Sequence, residues 1–167
     1  MDEDKTTDIL KRAILMEKRG QAFYDTVAQQ TSGEAVKRFF EMMADEENNH
    51  IQILTEQFKA YQNNKAFNRN QFDDQPQSDI SAQVLSKKIK CEISAATYEA
   101  AAISAAMSME ESAIKLYSSR AAAANDPNEK ALYNWLAKWE TQHLNFLADI
   151  DRELTRDIWF DQSFWPF

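Results

Sequence analysis

The sequence predicts an all-α fold, a four-helix bundle in which two antiparallel helix hairpins are joined by a long crossover. The chain of 167 residues contains only 2 Gly and 3 Pro, which leaves few breakers for the turns of an all-β fold. Four long segments repeat apolar residues at three- and four-residue steps, the period of an amphipathic helix. The length suits one domain, here residues 1–167, with a substantial core.

The first hairpin is predicted over residues 7–61. Its apolar pattern indicates a helix over 7–30 and a second over 34–61. Between them, Thr31 and Glu34 have the spacing of a capping box at the start of the second helix. So short a connection makes the two helices antiparallel neighbours.

The second hairpin is predicted over residues 95–156. A helix over 95–124 ends where the sequence turns to Asn-Asp-Pro. Asp126 is expected to cap the last helix, with Pro127 at its first position and Glu129 closing a capping box.

The crossover, residues 62–94, starts as a polar loop and is expected to contain a short amphipathic helix over 79–93, capped by Ser78. A helix of about 26 residues is ~39 Å long, and a crossover of this size can run back along the bundle. The tail, residues 157–167, is rich in Trp and Phe. We expect it to cover the bundle or a dimer contact.

Composition and charge exclude several classes of function. The net charge of −8 argues against nucleic acid as a partner, because phosphate binding requires clustered Lys and Arg. The single cysteine, Cys91, rules out an internal disulfide and any centre that needs several thiolates. The polar N-terminus is not a secretory signal, and no apolar run could cross a membrane. These features predict a cytoplasmic protein that does not bind membranes.

An internal repeat is the strongest signal in the sequence. A shift of 93 positions aligns the two hairpins without a gap, and polar identities fall on only a few residues, among them Glu17 with Glu110, Tyr24 with Tyr117, Glu47 with Glu140, and His50 with His143. The same register pairs Glu46 with Trp139 and Glu111 with Lys18. It therefore selects Glu47 and Glu110 over their acidic neighbours.

The repeated residues have the spacing of metal ligands. Glu and His at i and i+3, as in Glu47–His50 and Glu140–His143, share one helix face. One Glu from each of two helices and Glu-x-x-His from each of the other two is the ligand set of carboxylate-bridged di-iron or di-manganese bundles. The predicted metal ligands are Glu17, Glu47, His50, Glu110, Glu140 and His143.

Charge and the identity of the histidines support a metal site over ordinary core packing. Four buried carboxylates without cations would be costly, and two divalent ions would neutralise them. A single Glu-x-x-His is common on acidic helices, but both histidines of the chain lie in this motif and in matched register.

Two other repeated positions have open interpretations. Tyr24 and Tyr117 lie two turns beyond Glu17 and Glu110, where their hydroxyls could bond a ligand carboxylate or simply pack in the core. Gly20 and Ala113 could leave room for a diatomic or peroxide ligand, or permit close helix packing.

Four segments of the chain resemble the rubrerythrin branch of the ferritin-like superfamily. They are residues 13–24, 44–50, 109–117 and 139–143, which carry the Glu, Tyr and Glu-x-x-His positions. The resemblance implies a ferritin-like bundle with terminal carboxylates Glu17 and Glu110, bridging carboxylates Glu47 and Glu140, and the imidazoles of His50 and His143. The chain lacks the Cys-x-x-Cys pairs of a rubredoxin domain, and Ala113 occupies the position of an additional family Glu.

The resemblance implies a non-haem di-iron oxidoreductase that reduces hydrogen peroxide with electrons from an external donor such as rubredoxin. Manganese could replace iron, because both accept this ligand set. The alternatives are a ferroxidase or dioxygen-dependent oxidase, ferritin-like iron handling, or a metal-stabilised interaction module. We expect a homodimer in which the chemistry involves Glu17, Glu47, Glu110, Glu140, Tyr24 and Tyr117.

Overall fold

Four long α-helices make up most of the computed structural model, which describes residues 2–69, 88–89, 91–93 and 97–160. They are α1 (Asp2–Gln30), α2 (Glu34–Asn64), α3 (Tyr98–Ala123) and α4 (Pro127–Phe160). No strand occurs in these ranges, and the predicted all-α bundle is confirmed. Within the described part of the chain, no helix is long and apolar enough to cross a membrane.

The helices pack as two hairpins, α1 against α2 and α3 against α4, and α1 also contacts α3.

Three helices extend past the predicted limits. Helix α1 begins at Asp2, α2 reaches Asn64, and α4 continues to Phe160, into the segment predicted as a tail. No Gly or Pro interrupts these extensions, so nothing in the backbone stops the helix there. Residues 161–167 lie outside the described part.

The core consists of two apolar clusters, one towards each end of the bundle. Along α1, Leu10 lies in one cluster and Tyr24 in the other, while along α2 the order is reversed, from Phe40 to Leu54. Helix α3 runs in the direction of α2, and α4 in that of α1. The polar residues predicted to bind metal therefore form a layer between two apolar clusters.

The described residues at the two ends of the crossover pack in different clusters of the core. Phe67 packs in the cluster at the end of α2, whereas Ile89 and Ile93 pack in the opposite cluster, beside the start of α3. The predicted helix over 79–93 and its cap Ser78 lie mostly outside the described residues. The described residues 88–89 and 91–92 are helical.

The capping box predicted at the start of α2 is wrong. The N-cap is Gly33, with no side-chain hydrogen bond to the helix, rather than Thr31. The Thr31 hydroxyl instead donates to Glu99 Oε1 at 3.0 Å. Sequence spacing with Glu34 suggested a local partner, but the hydroxyl bonds to a residue of α3 instead.

The crossover supplies the cap that the local sequence lacks. Glu92 Oε2 accepts hydrogen bonds from the backbone N–H groups of Ala35 (2.9 Å) and Val36 (3.2 Å). These are free donors at a helix N-terminus, where the helix dipole also favours a carboxylate. A Cβ at Gly33 would collide with Glu92 Oε2, so a residue without a side chain permits this approach.

The start of α4 follows the prediction in part. Asp126 Oδ1 accepts the N–H of Asn128 at 2.8 Å, and Pro127 is the first helical residue. Glu129 does not close a capping box. Its carboxylate accepts from Arg120 Nε at 2.6 Å, because the end of α3 brings that guanidinium beside it.

Candidate metal centre

The six side chains predicted to bind metal meet in the polar layer. None is more than 4% exposed. They form two groups, each with ligand atoms within 4.8 Å of one another: Glu17, Glu47, His50 and Glu140 in one, and Glu47, Glu110, Glu140 and His143 in the other. Glu47 and Glu140 belong to both groups, as residues placed between two ions would.

The group around His50 converges on the Nδ1 atom of its ring. Nδ1 lies 3.1 Å from Glu17 Oε2, 2.9 Å from Glu140 Oε1 and 3.4 Å from Glu47 Oε2. Three carboxylates from three helices thus face one imidazole nitrogen. Oxygen and nitrogen donors at this density suit a divalent transition metal such as iron or manganese.

The group around His143 repeats this arrangement on the other hairpin. His143 Nδ1 lies 3.1 Å from Glu140 Oε2 and 3.8 Å from Glu110 Oε1. The rings of His143 and His50 are stacked, with centroids 5.9 Å apart. Glu140 directs one oxygen at each imidazole, so it is the carboxylate that joins the two halves.

The electrostatics of the cluster indicate that positive charge is needed there. Burial, followed by the charge of Glu140, raises the pKa values of Glu47 and Glu110 well above the usual range. Burial opposes ionisation of Glu140 too, but the two imidazoles outweigh it and lower its pKa. For His143 burial would lower the pKa, yet its bonds to Glu140 and Glu46 raise it to about 10. The imidazoles therefore supply part of the positive charge that two metal ions would supply.

The surroundings of one carboxylate oxygen in the cluster indicate whether a cation fits the site. Glu140 Oε1 is buried and accepts no hydrogen bond from the described residues, although His50 Nδ1 lies 2.9 Å away. The Nδ1 hydrogen bond goes to Glu17 Oε2 instead. A buried carboxylate oxygen without a donor is costly, and a divalent ion is a suitable partner for it. The donor set fits two such ions.

The two tyrosines bond to carboxylates of the opposite hairpin. The Tyr24 hydroxyl, from α1, donates to Glu110 Oε1 on α3, and the Tyr117 hydroxyl, from α3, donates to Glu17 Oε1 on α1. Both rings are fully buried. Burial and the neighbouring carboxylates raise the pKa of each hydroxyl. The tyrosines therefore keep their protons and fix the orientation of Glu17 and Glu110.

A small pocket reaches the carboxylates from the side of α1 and α3. Its free volume is about 20 Å³, whereas a water molecule needs at least ~10–15 Å³ by this measure. The lining comprises four pairs of repeat-equivalent residues: Met16 and Met109, Glu17 and Glu110, Gly20 and Ala113, Glu47 and Glu140. Neither histidine lines it, so a small molecule would meet the metal centre on its carboxylate side.

Gly20 provides space for a carboxylate of the centre. A Cβ at Gly20 would lie 3.3 Å from Glu47 Cδ and 3.4 Å from Oε1, so Glu47 would have to shift. Gly20→Ala should therefore weaken metal binding, while the metal-free helix gains up to ~1 kcal/mol because Ala favours helix. Metal titration and thermal unfolding of the metal-free variant would measure both effects.

Ala113→Gly, at the equivalent repeat position, is the matched control. It should lower helix stability by a similar ~1 kcal/mol without crowding a carboxylate, so metal affinity should be retained. Equal metal affinity for Gly20→Ala and the unmodified protein would contradict the role given to Gly20.

Sequence reasoning missed Glu46, which the repeat register had set aside in favour of Glu47. Its side chain is buried, its Oε2 contacts His143 Nε2, and the same atom accepts from Trp139 Nε1 at 2.9 Å. Burial would raise the pKa of Glu46, but the bond to His143 lowers it overall. The signal in the sequence that could have identified Glu46 is its position, because Glu46 and Trp139 each stand four residues before a histidine. By contrast, Glu111 is exposed, whereas Glu110 is buried.

The fold and the site together define a class of protein. A ferritin-like four-helix bundle encloses a buried layer of four Glu and two His that could hold metal, the arrangement of the di-metal carboxylate proteins. The rubrerythrin family model matches residues 8–151. The chain therefore belongs to the rubrerythrin family.

The other comparisons add no relative, because no match was found among curated proteins or among solved structures. The described residues contain no rubredoxin domain, and the one cysteine of the sequence could not supply its thiolate pairs.

Proposed function

We propose that this protein is a non-haem di-iron oxidoreductase that reduces hydrogen peroxide to water. The observation that carries the proposal is the sharing of Glu47 and Glu140 by both ligand groups. Shared carboxylates hold two ions close enough to act on one small molecule. Glu17 with His50 and Glu110 with His143 would complete the two halves.

A bound pair of ferrous ions would supply the two electrons that convert hydrogen peroxide and two protons into two water molecules. The residues of the chain position the hydrogen peroxide molecule and exclude larger molecules. The pocket admits a molecule of only a few atoms and ends on the four carboxylates. Tyr117 bonds to Glu17 Oε1, which leaves Glu17 Oε2 directed at His50, and Tyr24 orients the carboxylate of Glu110.

Electrons for a further cycle would come from a separate donor protein. The described residues hold no second cluster of potential metal ligands, and Cys91 is the only cysteine. A small one-electron carrier such as rubredoxin has the required chemistry. We further propose that the protein acts as a homodimer.

A peroxide titration tests the reaction. The iron-loaded, reduced protein, kept anaerobic, should be oxidised completely by one equivalent of hydrogen peroxide per pair of ions. Absorption of the ferric product would follow the titration. No oxidation at this stoichiometry would contradict the proposal.

The same pocket would admit dioxygen, so a ferroxidase or oxidase is the second candidate. Repeating the experiment in air-saturated buffer separates the two, since an oxidase should react with dioxygen at least as fast as with peroxide. Iron storage requires a hollow shell of many subunits. A mass measurement that shows a dimer would support the homodimer and exclude storage.

A further inference from the structure

We propose that Glu46 is a positioning residue for His143, and that the ion beside His143 therefore binds more tightly than the ion beside His50. The inference rests on the proposed metal centre. It concerns a difference between two halves that the sequence repeat makes look equivalent.

Glu46 reaches His143 from the other hairpin. It lies on α2, is 7% exposed, and its Oε2 contacts Nε2 of His143 on α4. The Trp139 Nε1–H donates to the same oxygen at 2.9 Å. One buried carboxylate oxygen thus accepts from two ring N–H groups.

These contacts define which nitrogen of His143 carries the proton. Trp139 Nε1 also lies 3.1 Å from His143 Nε2, but an indole nitrogen only donates. Both hydrogens are satisfied if Nε2–H and the indole N–H point at Glu46. In the metal-bound protein the Nδ1 lone pair of His143 would then face Glu140 and Glu110, as a metal ligand requires. A carboxylate behind a ligating imidazole fixes its orientation and increases its basicity.

The other histidine has no such support. His50 Nε2 is buried and has no hydrogen-bond partner among the described residues. Its ring instead stands nearly perpendicular to Trp139, at 88° with centroids 5.1 Å apart. An aromatic ring accepts an N–H only weakly. His50 therefore ligates without a carboxylate behind it.

The difference follows from one pair of repeat-equivalent positions. Glu46 stands four residues before His50, and Trp139 four residues before His143. Each points across the bundle at the histidine of the opposite hairpin. Glu46 therefore places a carboxylate against His143, whereas Trp139 places an indole ring against His50. The candidate ligands of the two halves are therefore the same residue types, whereas the side chains behind the two histidines differ.

The test is a metal titration of the metal-free protein with ferrous iron under anaerobic conditions, followed by calorimetry and elemental analysis. The unmodified protein should bind two ions in two unequal steps. His143→Ala should remove the tighter step, and His50→Ala the weaker one. Glu46→Ala should weaken the tighter step by about 10–100-fold, the effect typical of losing such a partner, and leave the weaker step in place.

Two further variants separate positioning from general damage. Glu46→Gln retains an oxygen that can accept from Nε2–H, so it should recover part of the affinity that Glu46→Ala loses. Asp45→Ala removes an equal charge from an exposed neighbour on α2 and should bind like the unmodified protein. Circular dichroism would establish that each variant is folded.

The outcomes distinguish the two proposals. Two equal binding steps in the unmodified protein, or an unchanged tighter step in Glu46→Ala, would overturn the inference and leave the metal centre standing. A protein that binds no ferrous iron at all would overturn the proposed function itself, and the inference with it.

Discussion

Loading the metal-free protein with two divalent ions is expected to raise its unfolding temperature by roughly 10 °C or more. Binding at 1,000 times the dissociation constant stabilises a fold by ~4 kcal/mol per site. Each 1 kcal/mol shifts the midpoint of a protein of this size by ~2–4 °C. The physical reason is the polar layer, where Glu17, Glu47, Glu110 and Glu140 are all buried and metal ions would neutralise them.

Thermal unfolding followed by circular dichroism, at fixed protein and rising ferrous iron or Mn²⁺ under anaerobic conditions, would measure the shift. A chelator should reverse it. The Glu47→Ala/Glu140→Ala double variant removes both shared carboxylates, so its midpoint should not respond to metal. An unresponsive midpoint in the unmodified protein would mean that the layer does not bind these ions.

The second large effect is a contrast between the two shared carboxylates. Glu47→Gln and Glu140→Gln should each weaken metal binding by more than about 100-fold, beyond the effect of losing an outer partner. Their metal-free forms should differ in stability. Burial and the charges of Glu140 and Glu17 raise the pKa of Glu47, so removing this acid should stabilise the metal-free protein. Glu140 faces both imidazoles, so its replacement removes a buried negative charge that pairs with both of them.

The expected cost of Glu140→Gln in the metal-free protein is about 3–5 kcal/mol, the range for breaking a buried ion pair. Chemical unfolding of both variants in the presence of chelator would give the two free energies. The variants serve as controls for each other, because each replaces one buried carboxylate by its amide. Equal destabilisation of both metal-free variants would contradict the electrostatic description of the site.

The helices and the cluster of candidate ligands could be predicted from the sequence because both depend on spacing along the chain. A helix face follows from the 3.6-residue period, so Glu47 and His50 had to converge. The repeat then identified Glu17 and Glu110 as their partners without any structural information. The length of the crossover predicted that its two ends lie at opposite ends of the bundle, and the described residues Phe67 and Ile89 pack in different clusters.

The tertiary structure decided everything that depends on which residues face each other between helices. Periodicity shows that a residue points inward but not which side chain it meets. Thus Thr31 bonds to Glu99 rather than to its own helix, and Glu92 of the crossover caps α2. The same reason explains Glu46: its repeat equivalent is Trp139 rather than a second Glu, and only the packing of α2 against α4 brings its carboxylate to His143. The sequence by itself determined the six candidate ligands, and the packing determined which side chains contact them.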